Sequence, residues 1–136
     1  MFFSRKQTTL GLKGRDFKKI TQKELGKYEV EDQIAAAKKL AKRNYIDKEN
    51  IGIWGWSYGG FMSTNCLLKG NDIFTTAIAV APVTSWRFYD TVYTERYMQT
   101  PQENASGYDD NSPINYAYEK HSLYLLILFL GCHNFL

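Results

Sequence analysis

The sequence Gly55-Trp-Ser-Tyr-Gly-Gly60 constrains this chain more than any other feature. It follows directly on the short apolar segment Ile51–Trp54 and opens an apolar segment from Gly59 to Leu68, so the pattern predicts a strand, a sharp turn and a helix. Glycines two positions to either side of Ser57 are expected to remove Cβ atoms that would collide where the strand and the helix nearly touch. A serine on such a turn presents its hydroxyl above the sheet edge. Ser57 is therefore the candidate nucleophile.

The same turn also predicts an oxyanion site. The helix that begins after Ser57 aims its N-terminus at a reacting carbonyl, and the backbone N–H of Tyr58 becomes a natural donor to the oxyanion. Chance places a Gly-x-Ser-x-Gly pattern in about 4% of chains of this length. The strand and helix on its two sides make coincidence rarer still, so the pattern favours a nucleophile over a glycine-rich turn with an incidental serine.

Helical and strand patterns alternate along the rest of the chain. Residues 29–43 carry apolar side chains at helical spacing, with acidic residues at the start and basic residues at the end. Residues 1–27 are polar and basic and predict no long element. The other predicted elements are a strand over 74–80, a helix over 89–98, a loop over 101–113, a helix over 114–120 and a strand over 123–130. This order predicts the α/β class, with a mostly parallel sheet and crossover helices.

Composition and charge exclude several classes of protein. With 136 residues, 44% of them hydrophobic, the chain forms one domain at most, or part of one, and is not expected to be disordered. The net charge of +3 is too small to indicate nucleic-acid binding. Residues 1–6 contain no apolar signal segment, and the apolar run 123–130 is too short to cross a bilayer, so no membrane partner is expected. The sequence indicates no particular cellular compartment for the protein.

The cysteines and histidines give no metal or redox site. Cys66 and Cys132 form neither a metal-binding pattern nor a disulfide framework, so no bound cofactor or metal is expected. A serine nucleophile needs a base, and the chain has only His121 and His133. His121 precedes its strand, at the wrong end for a site at strand C-termini. Asp110 and His133 remain a formal candidate for the acid and the base, but a histidine that is solvated or packed in the core is the commoner case.

Four sequence blocks carry a resemblance to a known family. They are Leu25–Gln33, Ile53–Gly60, Ala79–Val83 and Tyr89–Met98. Together they resemble the catalytic domain of the dipeptidyl peptidase IV branch of the prolyl oligopeptidase family of serine peptidases, and the Tyr-x-x-x-Tyr-Thr-Glu-Arg-Tyr-Met block is characteristic of that branch. Lipases and esterases share the serine turn but not these flanks.

The resemblance covers residues 14–116 almost without gaps. It implies a partial α/β-hydrolase fold, truncated at both ends. In this interpretation residues 1–13 are a non-matching N-terminal segment, residues 14–136 are a partial catalytic domain, and residues 117–136 diverge from the family.

The resemblance implies cleavage of a dipeptide from a peptide N-terminus, preferentially after proline or alanine, through an acyl-enzyme. Ser57 would be the nucleophile and the N–H of Tyr58 an oxyanion donor. A small apolar pocket for the proline ring would be lined by Val83, Trp86, Tyr89 and Tyr93. Without the resemblance, the spacing of the tyrosines at 89, 93 and 97 favours a core stripe. With it, only Tyr97 is expected in the core.

The resemblance also implies that parts of the machinery lie outside the matching region. In the family a β-propeller and the opening hydrolase strands come first, with a second oxyanion donor, a tyrosine, and the acidic residues that bind the substrate's amino terminus. After the strand that matches Leu125–Ile127, the family has a His-Gly turn and a loop bearing the catalytic aspartate, whereas this sequence continues Leu-Phe-Leu-Gly-Cys-His-Asn-Phe-Leu. The catalytic Asp and His are thus expected to be not present, and the chain to be an inactive, truncated or frameshifted product.

Two alternatives stay open. A sibling activity, such as that of a prolyl oligopeptidase, an acylaminoacyl peptidase or a tripeptidyl peptidase, would use the same serine turn. A non-catalytic interaction protein could have kept the turn by descent. The partner expected from the resemblance is a peptide with Pro or Ala at its second position, and a longer parent protein could form a homodimer in a periplasmic or extracellular compartment.

Overall fold

The computed structural model describes residues 2–3, 14–70, 73–118 and 124–128. Their strands form one parallel sheet in the order β1-β2-β3-β4. The strands are β1 (Phe2–Phe3), β2 (Gly52–Trp56), β3 (Thr76–Val80) and β4 (Tyr124–Leu128). The helices are α1 (Arg15–Lys19), α2 (Tyr28–Leu40), α3 (Tyr58–Lys69), α4 (Thr91–Met98) and α5 (Ala105–Asp110), with 3₁₀ turns at Trp86–Phe88 and Pro113–Tyr116. The predicted α/β class is confirmed.

The helix α3 packs on one face of the sheet, against β2 and β3, and α2 packs against α3. In α3 the residues from Gly60 to Leu67 are all buried, which is typical of a helix enclosed by its neighbours. In α2, Val30 and Ala37 face the core, while acidic residues begin the helix and basic residues end it, as the dipole favours. Cys66 is fully buried, and burial raises the pKa of its thiol to about 12, so it is an inert core residue.

The predicted helices and strands around the serine turn are confirmed, with boundaries shifted by a few residues. The loop predicted over 101–113 is wrong in part, because α5 occupies its centre. Tertiary packing explains the difference: Tyr108 is buried and its hydroxyl donates to the Gln99 carbonyl at 2.6 Å. The described part of the helix predicted over 114–120, residues 114–118, contains only the end of the 3₁₀ turn Pro113–Tyr116. The sequence does not predict α1.

The other face of the sheet exposes two large side chains, Trp54 and Trp56. They lie two positions apart on β2 and point to the same side, next to Ile78 and Val80 of β3 in the parallel register. Parallel sheets are normally covered on both faces.

None of the helices in the described ranges has the length and apolar character needed to cross a bilayer. Cys132, His121 and His133 lie outside the described residues.

Candidate active site

Ser57 occupies the turn between β2 and α3 in a strained backbone conformation. Its φ is 54° and its ψ is −116°, a positive-φ region that residues with a side chain rarely adopt. Two backbone hydrogen bonds hold the turn: the Ser57 N–H donates to the Val80 carbonyl at 2.9 Å, and its carbonyl accepts from the Phe61 N–H at 3.0 Å. The side chain is exposed. The fold thus uses two elements to hold a serine hydroxyl out towards solvent.

The structure shows close backbone packing at a different pair of glycines around Ser57 from the pair that the sequence predicts. A Cβ on Gly55 would overlap the backbone carbonyl group of Gly59, so the strand and helix do touch at this point. A Cβ on Gly59 would meet nothing within 4 Å, and the prediction that Gly59 is needed for close approach is therefore wrong. Gly60 is the second crowded glycine, since its Cβ would lie 3.0 Å from the Val80 carbonyl oxygen and 3.1 Å from Pro82.

Tyr58 is the first residue of α3, so its N–H has no acceptor within the helix. This N–H lies next to Ser57 at the positive end of the helix dipole, where an oxyanion is stabilised. The Tyr58 hydroxyl donates to the Glu29 carboxylate at 2.7 Å. Burial, together with this carboxylate, raises the pKa of Tyr58 far above its usual value.

Five side chains form an aromatic cluster: Tyr58, Phe61, Trp86, Tyr89 and Tyr93. We define it by ring contacts: the centroids of Tyr58 and Phe61 are 5.3 Å apart, and those of Phe61 and Trp86 are 4.8 Å apart. Trp86 stacks on Tyr93 at 6.2 Å and meets Tyr89 edge-on at 6.1 Å. The structure therefore brings the predicted pocket residues Trp86, Tyr89 and Tyr93 together with the Tyr58 ring.

The predicted pocket residues differ in how accessible they are. Val83 and Trp86 are buried, Tyr89 is half-buried and Tyr93 is exposed. Tyr97 contacts the Tyr93 ring at 5.1 Å but is 40% exposed, so the prediction that it lies in the core is wrong. The buried residues of α4 are Thr94 and Met98, because the buried stripe of this helix is one position on from the tyrosine stripe.

Among the described residues, no side chain is hydrogen-bonded to Ser57 as a general base would be. The described residues contain no histidine, and the Ser57 hydroxyl makes no hydrogen bond within them. Asp110 is the acid that the sequence offers as a formal partner of His133. Its backbone carbonyl accepts hydrogen bonds from the side chains of Lys69 and Tyr116. No group of three or more His, Cys, Asp or Glu side chains that could hold a metal ion occurs in the described ranges. The site as described is an exposed serine on a strained turn, the backbone N–H of Tyr58 at the start of α3, and the aromatic cluster.

Two features of this site were not predicted from the sequence. The sequence marks Glu29 only as an acidic residue at a helix start, yet its side chain hydrogen-bonds Tyr58, the residue directly after Ser57. Phe61 belongs to the buried helix, but it also links Tyr58 to Trp86 in the aromatic cluster. The contact between Glu29 and Tyr58 has no local sequence signal, since the two residues are 29 positions apart. The contact between Phe61 and Trp86 has none either, whereas that between Tyr58 and Phe61 follows from their helical spacing.

Comparison with known proteins places this geometry in a family. The model of the prolyl oligopeptidase family matches residues 10–132. A protein of Phaeosphaeria nodorum described as "probable dipeptidyl-aminopeptidase B" is 49% identical over 125 residues, which are 91% of this chain and 13% of the relative. The protein of the same description from Trichophyton verrucosum is 53% identical over 106 residues, 77% of this chain and 12% of the relative.

A solved structure agrees with the sequence matches. The crystal structure of Porphyromonas gingivalis dipeptidyl peptidase 4 superposes with a TM-score of 0.81 at 50% identity, covering 85% of this chain and 16% of that protein. The chain thus spans about an eighth of the length of the curated relatives cited. Its sheet and helices are part of an α/β-hydrolase domain, as the sequence predicts. The chain belongs to the prolyl oligopeptidase family, in the branch of the dipeptidyl peptidases.

Proposed function

We propose that this chain is the nucleophile-bearing part of a serine dipeptidyl peptidase that releases N-terminal dipeptides after Pro or Ala. The observation that carries the proposal is the exposed Ser57 at a positive-φ turn, directly followed by the N–H of Tyr58, which has no acceptor within α3. The family match and the relatives, which are described as dipeptidyl peptidases, support the reaction class.

The proposed reaction proceeds by acyl transfer. The Ser57 Oγ attacks the carbonyl carbon of the second residue, and its proton passes to a base, giving a tetrahedral intermediate whose oxyanion accepts from the Tyr58 N–H. The C–N bond then breaks, the leaving amine takes the proton, and the dipeptide stays as an ester on Ser57. Water attacks this ester, and the dipeptide acid leaves with Ser57 restored.

The aromatic cluster supplies the proposed specificity. Tyr89 and Tyr93 present ring surface at the edge of the cluster, and the buried Trp86 backs both of them. Flat, apolar walls suit a compact proline ring or an alanine methyl group and leave little room for longer side chains. Val83 is buried in the same hydrophobic cluster as Trp86 and completes the proposed lining.

The base and the orienting acid are not among the groups that we assign. Neither histidine of the chain lies in the described residues, which therefore offer Ser57 no activating imidazole, and we propose that the chain alone is inactive. Purified chain treated with a fluorophosphonate is therefore expected to carry no adduct at Ser57 by mass spectrometry, with Ser57→Ala as the blank. An adduct confined to Ser57 would contradict the proposed inactivity and direct attention to His133.

A chimera tests the proposed function directly. We would replace the matching segment of Porphyromonas gingivalis dipeptidyl peptidase 4 with residues 14–118 of this chain, so that the host contributes the rest of its catalytic machinery. The chimera is expected to release nitroaniline from Gly-Pro-p-nitroanilide, and Ser57→Ala is expected to lower kcat about 10⁶-fold, as removal of a triad serine does.

The controls separate the alternatives. Preference for a blocked substrate, or for three residues before the scissile bond, would indicate a sibling activity instead. A folded chimera without activity would favour a non-catalytic interaction protein, and full activity in the Ser57→Ala chimera would contradict the proposed nucleophile.

A further inference from the structure

The carboxylate of Glu29 is buried and uses both of its oxygens. Glu29 is the second residue of α2 and is only 7% exposed. Its Oε1 accepts the hydroxyl of Tyr58 at 2.7 Å, and its Oε2 accepts the backbone N–H of Gly26 at 3.1 Å. A buried carboxylate is costly unless it is fully hydrogen-bonded, so this arrangement serves a specific geometry.

No basic side chain forms an ion pair with Glu29 within the described residues. The ion pairs there are Lys27–Glu24 and Arg87–Asp109. The charge of Glu29 is instead balanced by two neutral donors and by the N-terminal end of α2. Gly26 has a φ of 93°, and a Cβ at this position would overlap the ring of Phe61. The segment before α2 thus packs on the aromatic cluster and brings the Gly26 N–H to the carboxylate.

The residue held by Glu29 has two roles in the proposed site. The backbone N–H of Tyr58 is the proposed oxyanion donor, and its ring contacts Phe61 and Trp86. A tyrosine hydroxyl is protonated at physiological pH, and burial together with the Glu29 carboxylate raises the pKa of Tyr58 further, so the hydroxyl continues to donate. A side chain fixed at its tip and at its ring leaves the attached backbone little freedom.

We propose that Glu29 is a positioning residue, which holds the Tyr58 side chain and thereby sets the direction of the Tyr58 N–H beside Ser57. This inference rests on the proposed function, because it assigns that N–H to the oxyanion. It adds α2 and the turn at Gly26 to the elements that shape the site. Among the described residues the Glu29 carboxylate is hydrogen-bonded to Tyr58 and Gly26 and not to Ser57, so it acts through Tyr58.

Kinetics of the chimera test this role. Glu29→Gln puts an amide nitrogen where one of the two donors now points, and Tyr58→Phe removes only the hydroxyl. Each is expected to lower kcat about tenfold, less than the roughly hundredfold that a 1 Å misplacement can cost, with a smaller change in KM. The kcat of the double variant is expected to be no lower than that of the less active single variant, because both changes break the same contact.

Glu31→Gln is the matched control. It removes the same charge from the same helical turn, but Glu31 is exposed and its side chain does not contact Tyr58. It is expected to leave kcat within twofold of the unsubstituted chimera. An unchanged kcat in Glu29→Gln with a lower melting temperature would show a purely structural role. Losses that multiply in the double variant would also overturn the proposal.

A second measurement on the purified chain separates this inference from the proposed function. In ¹H–¹⁵N spectra, Glu29→Gln and Tyr58→Phe are both expected to shift the amide signal of Tyr58, and Glu31→Gln is not. An inactive unsubstituted chimera would count against the proposed function. An unmoved Tyr58 amide in Glu29→Gln would overturn the positioning role whatever the chimera does.

Discussion

Gly55→Ala is expected to lower the free energy of unfolding of this chain by about 3 kcal/mol, the upper end of the usual cost of overpacking. The added Cβ would overlap the carbonyl carbon and oxygen of Gly59. Both of the clashing groups are backbone, so no side-chain rotation can relieve the contact, and α3 has to move away from β2. Urea denaturation followed by circular dichroism measures the loss.

Gly59→Ala is the matched control for this prediction. Gly59 lies in α3, where its added Cβ meets nothing within 4 Å, and it has no positive φ. Alanine has a higher helix propensity than glycine, so this variant is expected to be neutral or to gain up to about 1 kcal/mol. A loss in Gly59→Ala equal to that in Gly55→Ala would contradict the packing described at the turn.

The contrast between these glycines shows what spacing in a sequence can predict. The order strand, serine, helix is local, and it predicts the turn at Ser57 correctly. Which glycine is crowded depends on how α3 crosses the sheet, and that crossing involves distant residues. Gly60, for example, is crowded by Val80 and Pro82, 20 and 22 positions further along. A symmetric pattern of glycines therefore does not imply symmetric packing.

The helices show the same division between local and distant causes. The strong apolar periodicity of α2 and the continuous apolar character of α3 predict both helices. In contrast, α5 has the composition of a turn and is stabilised by distant contacts, such as the bond from the Asn104 side chain to the Lys23 carbonyl at 2.8 Å. Local propensity is a weak guide where such contacts decide the conformation.

The aromatic residues of the site were predicted as a set because the family resemblance identified them. Their depth was not predictable, since the spacing of Tyr89, Tyr93 and Tyr97 favours a buried stripe, whereas the structure buries Thr94 and Met98 of α4 instead. Trp86 emerges as the central ring, because it alone contacts Tyr58, Phe61, Tyr89 and Tyr93. The stability of the cluster is therefore expected to depend mainly on Trp86.

Trp86→Ala is expected to lower the free energy of unfolding by about 3–5 kcal/mol, the usual cost of removing a large core aromatic side chain. Trp86 is 1% exposed. Its indole N–H is buried without a hydrogen-bond partner in the described part of the chain, so the loss is one of packing and not of a hydrogen bond. In the chimera, the same change is expected to raise KM for the Gly-Pro substrate, because Tyr89 and Tyr93 lose the ring that backs them.

Two further variants make this prediction specific. Trp86→Phe keeps one ring and removes the unpartnered N–H, so its loss is expected to be less than half that of Trp86→Ala. Phe88→Ala removes a 74% exposed aromatic ring from the same 3₁₀ turn, and it is expected to change stability by less than about 0.5 kcal/mol. A comparable loss in Phe88→Ala would mean that the turn itself is fragile. A loss confined to Trp86, together with a raised KM, would show that one buried ring supports both the core and the wall of the proposed proline pocket.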